Sequence, residues 1–103
     1  GCAVSGYGRA EVLVASHIKP WRDANDRERL DPYNGLLLQP TIDKLFDIGL
    51  ITFDPAGLIV KAPRMQSVEF RILGIPDNSR LTSVPEKTAE YLQHHREFCF
   101  DQR

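Results

Sequence analysis

The sequence has 103 residues, the length of one domain, and its 42% hydrophobic content allows a modest core and argues against a disordered chain. Its 13 basic and 14 acidic side chains leave a formal net charge of −1, which argues against binding nucleic acid through bulk positive charge. No apolar run reaches the roughly 18 residues of a membrane span, and no secretory signal is visible. We therefore expect a cytoplasmic protein without membrane contact.

The two cysteines, Cys2 and Cys99, lie at opposite ends of the sequence. They lack the paired Cys-x-x-Cys or Cys/His spacing of a zinc site, and in the cytosol free thiols are expected rather than a disulfide. The sequence also begins without a methionine, in the middle of a segment that resembles folded structure. We expect it to be a piece of a longer protein.

The first third of the sequence predicts two strands separated by a long polar excursion. Residues 11–18 are rich in β-branched and apolar side chains, which favours a strand, and Pro20 ends it. Residues 21–33 are polar and predict an exposed loop with room for one helical turn; long ordered loops in small domains are often functional. Asn34-Gly35 indicates a turn, and residues 36–39 form the second predicted strand.

The remaining patterns predict a helix, a hairpin and a second helix. Pro40 suits the first position of a helix and Gly49 its C-terminal cap. Two apolar runs within residues 50–60 flank an Asp-Pro-x-Gly turn, which is typical of a hairpin. Residues 64–84 favour no single structure. Residues 85–100 predict a helix whose packing side chains are expected to be Ala89, Leu92, Phe98 and Cys99.

The order strand, loop, strand, helix brings His17, Asn34 and two aspartates of the helix together. The segments that carry them are Ala-Ser-His-Ile-Lys-Pro-Trp, Asn-Gly-Leu-Leu-Leu and Asp-Lys-Leu-Phe-Asp-Ile-Gly-Leu-Ile-Thr-Phe. In this order and spacing they resemble the HNH endonuclease family, most closely its predicted bacterial restriction endonucleases. Cys-Ala-Val-Ser-Gly upstream and Tyr-Leu-Gln-His-His-Arg-Glu-Phe downstream extend the resemblance over nearly the whole chain.

The resemblance implies an α+β fold in a bacterial protein. Its ββα-metal core (the HNH or His-Me finger) would occupy about residues 2–60, and residues 61–103 would form a C-terminal extension. A β-hairpin and a C-terminal helix are the expected additions to the core. The whole chain would then be one nuclease domain.

The resemblance also implies site residues. His17 would be the general base, because a neutral imidazole accepts a proton from water at physiological pH better than a carboxylate does. Asn34 would bridge the loop and hold the base in orientation. Asp43 and Asp47 match metal-binding positions on the helix, and oxygen ligands favour Mg²⁺ or Mn²⁺ over Zn²⁺.

Each of these residues also has a purely structural interpretation. An isolated histidine is more often a hydrogen-bonded core residue, Asn34 could simply form a turn, and two acids four apart are usually a solvated helix face. Asp47 is the less secure ligand, since the last turn of a helix disfavours a negative charge, and its carboxylate could brace the loop instead. Many relatives carry a metal-binding Asp or His where this chain has Ser16.

The predicted activity is hydrolysis of DNA phosphodiesters. Lys19, Arg22 and Arg96 are the predicted DNA contacts, although Arg96 could equally form a structural hydrogen bond between the tail helix and the core. With so little positive charge, we expect sequence recognition from an upstream domain, and a homodimer is one way to cut both strands. The alternatives are a non-catalytic module that binds DNA or protein, and a nuclease for RNA or branched DNA.

Overall fold

The first half of the chain folds as two antiparallel strands followed by a helix. A computed structural model describes residues 1–102. Strand β1 (Val14–His17) pairs antiparallel with strand β2 (Gly35–Leu38), and His17 lies opposite Gly35. The excursion between the strands contains one short α-helix and two 3-10 turns. In chain order the elements are β1 (Val14–His17), a 3-10 turn (Trp21–Asp23), α1 (Asp26–Leu30), a 3-10 turn (Pro32–Asn34), β2 (Gly35–Leu38) and α2 (Pro40–Asp47).

Helix α2 begins at Pro40, whose missing N–H costs nothing in the first turn of a helix. It buries Ile42, Leu45 and Phe46 on one face, which leaves its two aspartates on another. Gly49 follows with φ +80°, a left-handed conformation that favours glycine. The ββα order, with Pro40 and Gly49 at the predicted ends of the helix, confirms the expected core.

The second half adds a hairpin and two helices. Strands β3 (Ile51–Phe53) and β4 (Ile59–Lys61) pair antiparallel, and Gly57 in the connecting turn has φ +87°. No helix within residues 1–102 has the length and apolar character that crossing a bilayer requires. The elements are β3 (Ile51–Phe53), β4 (Ile59–Lys61), α3 (Ser67–Ile72) and α4 (Glu86–Phe98). The α+β class, the added hairpin and the C-terminal helix are therefore confirmed.

One continuous core joins the two halves. Its most buried side chains come from the end of β1, from β2, α2, β3 and α4, and each is fully buried: Ile18, Leu38, Phe46, Phe53 and Leu92. Burying side chains of this size contributes about 1.5–3 kcal/mol each. Because α4 and the ββα unit share this core, α4 holds a fixed position beside the elements that carry His17 and the aspartates.

Two expectations for individual segments were wrong. The first strand begins at Val14 rather than at residue 11, because residues Ala10–Val12 form a 3-10 turn. Residues 64–84, for which the sequence favoured no single structure, contain α3. Phe98 is 62% exposed rather than packed. Helix α4 buries Thr88, Leu92 and His95, and helical periodicity turns position 98 away from that face.

Candidate active site

A groove of about 490 Å³ runs between the exposed end of β1, the turn that follows it and one face of α2. The turn after Pro20 contributes an aromatic and a basic side chain to the groove. The polar and aromatic residues that line it are Ser16, His17, Trp21, Arg22, Asp43 and Asp47. The structure thus brings four of the predicted site residues to one surface: His17, Arg22, Asp43 and Asp47.

His17 is exposed at the end of β1, and one ring nitrogen has a defined partner. Nε2 lies 3.1 Å from the backbone carbonyl oxygen of Arg29. A carbonyl can only accept, so Nε2 must carry the proton and donate it. In the neutral ring, Nδ1 is then the nitrogen with the free lone pair, and it makes no hydrogen bond within residues 1–102. The edge of the His17 ring also meets Trp21, with 5.7 Å between centroids.

Asn34 is fully buried and ties both ends of the long loop together. Its Oδ1 accepts from the backbone N–H of Lys19 at 2.8 Å, and its Nδ2 donates to the carbonyl of Glu28 at 3.1 Å. The Asn34 carbonyl accepts from the N–H of Ile18 at 2.9 Å. Glu28 precedes Arg29, whose carbonyl holds His17, so Asn34 fixes the loop that orients the imidazole.

Helix α1 is stabilised inside this loop by a capping box. The side chain of Asn25 accepts from the N–H of Glu28, and the Glu28 carboxylate accepts from the N–H of Asn25. The same carboxylate accepts two hydrogen bonds from the Lys19 ammonium, at 2.9 and 3.1 Å. The N–H of Asn25, followed by the Lys19 ammonium, lowers the pKa of Glu28. Lys19 is therefore held within the loop.

Asp43 and Asp47 lie four residues apart on α2, so both carboxylates belong to one helix face beside the groove. Asp43 is half-buried and Asp47 is exposed. This donor set fits a hard divalent cation, because Mg²⁺ is usually held by one or two carboxylates together with waters and substrate phosphates. Ser16 is 7% exposed at the groove wall and offers only a hydroxyl.

The predicted DNA contacts differ in exposure and in whether another group of the protein already binds them. The Arg22 side chain is 84% exposed at the groove, and Asp23 at 3.9 Å is its nearest ionic neighbour. Arg96 instead donates to the carbonyl of Phe53 at 2.8 Å, which is the structural bond between the tail helix and the core. The guanidinium of Arg29 stacks on Trp21 at 4.5 Å and donates to the Trp21 carbonyl at 2.9 Å.

His95 is a core histidine. Its Nε2 donates to the carbonyl of Phe46 at 2.9 Å, so Nδ1 accepts from the hydroxyl of Thr52 at 2.8 Å. The ring stacks on Phe46 with 3.8 Å between centroids. Burial lowers the pKa of His95 to about 4, so the ring stays neutral near physiological pH. This histidine has no free nitrogen with which to do chemistry.

Two structural features near the groove could not be found by sequence reasoning. The Arg29 carbonyl that orients His17 belongs to the backbone, so the residue type at position 29 does not indicate this contact. Asp23, His94 and Cys99 converge beside the groove, with donor atoms within 4.8 Å of one another. Among residues 1–102 they are the only group of three or more His, Cys, Asp or Glu side chains that close together. Positions 23 and 94 lie far apart in the sequence, so no spacing motif predicts that these three residues form a group.

Comparison with known proteins agrees with this geometry. Residues 2–54 match the model of the HNH endonuclease family, which is 53 of the 103 residues and therefore more than half of the chain. The search of curated proteins found no match. The matched segment contains β1, the loop, β2 and α2, and with them His17, Asn34 and both aspartates. The chain belongs to the HNH endonuclease family.

Proposed function

We propose that the chain is a metal-dependent endonuclease domain that hydrolyses DNA phosphodiesters, with His17 as general base. The observation that carries the proposal is the hydrogen bond from His17 Nε2 to the Arg29 carbonyl. It fixes the tautomer that has Nδ1 as its proton acceptor, and it does so in the groove that also holds Asp43 and Asp47. A histidine with both nitrogens occupied, such as His95, could not do this.

In the proposed reaction, His17 Nδ1 takes a proton from a water molecule as its oxygen attacks phosphorus in line. The new P–O bond forms while the bond from phosphorus to the 3′ oxygen breaks, and the 3′ oxygen takes a proton from solvent. The products carry 5′-phosphate and 3′-hydroxyl ends. The Arg29 carbonyl favours the imidazolium that results, because its Nε2–H bond strengthens as the ring becomes positive.

Asp43 and Asp47 would hold the metal ion, Mg²⁺ or Mn²⁺, which when bound supplies electrostatic stabilisation to the negative charge on the phosphate and the leaving oxygen. Asp43 is the better candidate for direct ligation. Asp47 lies at the C-terminal end of α2, where helix carbonyls disfavour a carboxylate unless a cation is near. Ser16 leaves the remaining ligand positions to water and substrate.

DNA recognition is proposed to come mainly from outside these 103 residues. Lys19 is paired with Glu28 and Arg96 with Phe53, so Arg22 is the most available of the three predicted DNA contacts. With a net charge of −1, the domain can neutralise few phosphates. A restriction-type enzyme with a separate recognition domain would supply the affinity, and a homodimer would allow both strands to be cut.

The second candidate function is a non-catalytic module that uses the same fold to bind DNA or protein. Ser16 favours it, because a hydroxyl replaces the metal-binding side chain that many relatives carry beside the base. The two candidates differ in a simple observable: the module binds its partner but turns over nothing when Mg²⁺ or Mn²⁺ is added.

Plasmid cleavage tests the proposal. The chain is incubated with supercoiled plasmid and Mg²⁺, Mn²⁺ or a chelator, beside His17→Ala, Asp43→Asn and, as a matched control away from the groove, Glu90→Gln. Nicking that needs the metal, and that both groove variants lose while Glu90→Gln retains it, supports the proposal. Cleavage by His17→Ala at the wild-type rate would show that His17 is not the base. No cleavage by any folded sample would favour the binding module.

The place of the ion is tested separately by diffraction from crystals soaked in Mn²⁺. We expect an anomalous peak within about 2.0–2.6 Å of an Asp43 carboxylate oxygen, the range for hard divalent ions with oxygen ligands. A peak far from residue 43 would overturn the ligand assignment and leave the role of His17 standing. RNA and branched DNA are offered in parallel assays, and faster cleavage of either would redefine the substrate.

A further inference from the structure

Helix α4 approaches the long loop at three points along one side. The hydroxyl of Thr88 donates to the carbonyl of Tyr33 at 3.0 Å, and one turn later the hydroxyl of Tyr91 donates to the carboxylate of Asp31 at 2.8 Å. The third point differs in kind. His94 faces Asp23, with 3.7 Å from Nε2 to Oδ2, too far for a direct hydrogen bond.

His94 lacks a hydrogen-bond partner at this third point among the described residues. Its Nε2 is buried from solvent and has no hydrogen-bond partner within residues 1–102. A buried polar atom without a partner costs about 1–3 kcal/mol, and almost all such atoms in folded proteins are satisfied. The atoms closest to resolving the deficit are the carboxylate of Asp23 and the sulfur of Cys99. The Asp23 carboxylate is too far for a direct hydrogen bond, and both groups are metal ligands.

The spacing of the three donors suits a tetrahedral ion. Ligand atoms about 2.0–2.3 Å from a tetrahedral zinc lie about 3.3–3.8 Å from one another. The separation of 3.7 Å between His94 Nε2 and Asp23 Oδ2 falls inside that range, and all three donors lie within 4.8 Å. Small side-chain movements would bring all three donors to tetrahedral spacing. Cys99 follows the end of α4 and is half-buried.

The chemistry of the donors selects the ion. One sulfur, one imidazole nitrogen and one carboxylate oxygen form a mixed set that suits Zn²⁺, whereas Mg²⁺ and Mn²⁺ prefer oxygen ligands alone. Cys99 is a free thiol and is available for ligation. The two aspartates of α2 are all-oxygen donors, so the two sites differ in the metal that each selects.

We propose that Asp23, His94 and Cys99 form a Zn²⁺ site, distinct from the proposed catalytic metal site, that clamps the C-terminal end of α4 to the turn carrying Trp21 and Arg22. Three protein ligands leave a fourth position for water. Asp23 directly follows two groove residues, so the ion holds that wall of the groove in place. The site adds a third, stronger attachment to those made by Thr88 and Tyr91.

The test uses the whole chain, first stripped of metal by a chelator. Co²⁺ is titrated in as a spectroscopic substitute for Zn²⁺, in excess Mg²⁺ to occupy the groove. We expect a thiolate-to-Co²⁺ charge-transfer band and visible bands of tetrahedral cobalt that saturate at one equivalent and disappear when Zn²⁺ is added. Zn²⁺ should also raise the melting temperature, because it binds the folded chain in preference to the unfolded one.

Variants identify the ligands. Asp23→Asn, His94→Gln and Cys99→Ser should each weaken Zn²⁺ binding by at least about tenfold, the effect of disturbing even an outer partner of a metal ligand. Cys2→Ala controls for the other thiol, and Asp43→Asn for the groove; both should keep the band. Circular dichroism checks that each variant is folded.

Three results would overturn the site. The first is a folded wild-type chain that gives no cobalt–thiolate band. The second is a band that survives Cys99→Ser and is lost in Cys2→Ala. The third is Zn²⁺ affinity that Asp43→Asn abolishes, which would put the ion in the groove. None of these results depends on whether the chain cleaves DNA.

Discussion

The surroundings of His17, the proposed general base, differ in one respect from those of the core histidine His95. In both, Nε2 donates to a backbone carbonyl, that of Arg29 or that of Phe46. At His95 the second nitrogen is occupied by Thr52, and the ring lies in the core. At His17 the second nitrogen has no partner within residues 1–102, and the ring lines an open groove. The two regions are distinguished by whether the second ring nitrogen has a hydrogen-bond partner.

The sharpest test of this contrast replaces each histidine by alanine. His17→Ala should lower cleavage by about 10²–10⁴-fold, the usual contribution of a general base, with little change in the free energy of unfolding, because its side chain is exposed. His95→Ala should do the reverse and lower the free energy of unfolding by about 3 kcal/mol, since it opens a cavity and orphans two polar groups. Nicking rates and urea unfolding measure both. Similar effects of the two variants on both quantities would contradict the distinction.

The next effect is a pH dependence of stability that belongs to His95. Its pKa is about 4 in the folded chain and about 6.5 in the unfolded chain. Between pH 6.5 and pH 4, the imidazole of residue 95 is therefore protonated in the unfolded chain but neutral in the folded chain. The free energy of unfolding that is present above pH 6.5 is lost as the pH falls towards 4. At about 1.4 kcal/mol per pH unit, the free energy of unfolding should fall by about 3 kcal/mol across this window.

Urea unfolding between pH 4 and pH 7 measures this loss, with His95→Gln as the control that cannot titrate. The carboxylates with lowered pKa values, such as Asp31 and Asp77, lose their contribution mainly below pH 4, so they interfere little. A wild-type slope equal to that of His95→Gln would show that His95 is not the buried neutral group described here.

A smaller effect is expected from Asn34→Ala, which tests the loop that orients His17. The substitution leaves the N–H of Lys19 and the carbonyl of Glu28 without their buried partner, at a cost of about 1–3 kcal/mol. Hydrogen exchange should accelerate in residues 19–33, and cleavage should fall because the Arg29 carbonyl loses its fixed position. Asn25→Ala, which removes only the cap of α1, is the matched control. Unchanged exchange in the loop would show that Asn34 is not what holds it.

The smallest effect concerns phosphate contacts in the groove. Arg22→Ala should lower the slope of log affinity against log salt by about 0.9, the contribution of one phosphate contact. Lys19→Ala should change it less, because Glu28 already neutralises that ammonium. Arg27→Ala, which removes an exposed arginine outside this groove, should leave it unchanged. Fluorescence anisotropy with duplex DNA at several salt concentrations measures all three. Equal slopes for Arg22→Ala and the wild type would remove Arg22 from the interface.

Much of the fold was predictable because its signals are local. Pro40, Gly49 and the Asp-Pro-x-Gly turn mark the ends of α2 and the second hairpin in the sequence itself. Helix α3 was missed because its six residues are too few for a clear helical period. The exposure of Phe98 was missed because the phase of α4 depends on its packing against β3 and α2. Leu92 gave one clue to that phase, because position 98 lies six residues later and therefore on a different face of the helix.

The candidate site was predictable where one segment carries the residue and its context. His17, Asn34, Asp43 and Asp47 all lie within short stretches whose order indicated a family. The partners that decide what they can do were not predictable, because the acceptor for His17 is a backbone carbonyl brought close by α1. Nor could adjacent histidines be told apart by sequence: His95 enters the core while His94 turns towards Asp23.

The close packing at Gly49 limits where the chain can be truncated and which residues position 49 accepts. A β-carbon there would lie 2.2 Å from the carbonyl oxygen of Cys99, and the Gly49 carbonyl accepts from the N–H of Asp101 at 2.8 Å. The segment that matches the family ends at residue 54. The C-terminal end of its helix α2 nevertheless packs against the backbone of Cys99 and Asp101, well beyond that segment. A fragment cut at the family boundary would therefore expose the hydrophobic face that α4 covers. A library randomised at position 49 should return glycine alone, even when it is selected for folding without any demand for cleavage.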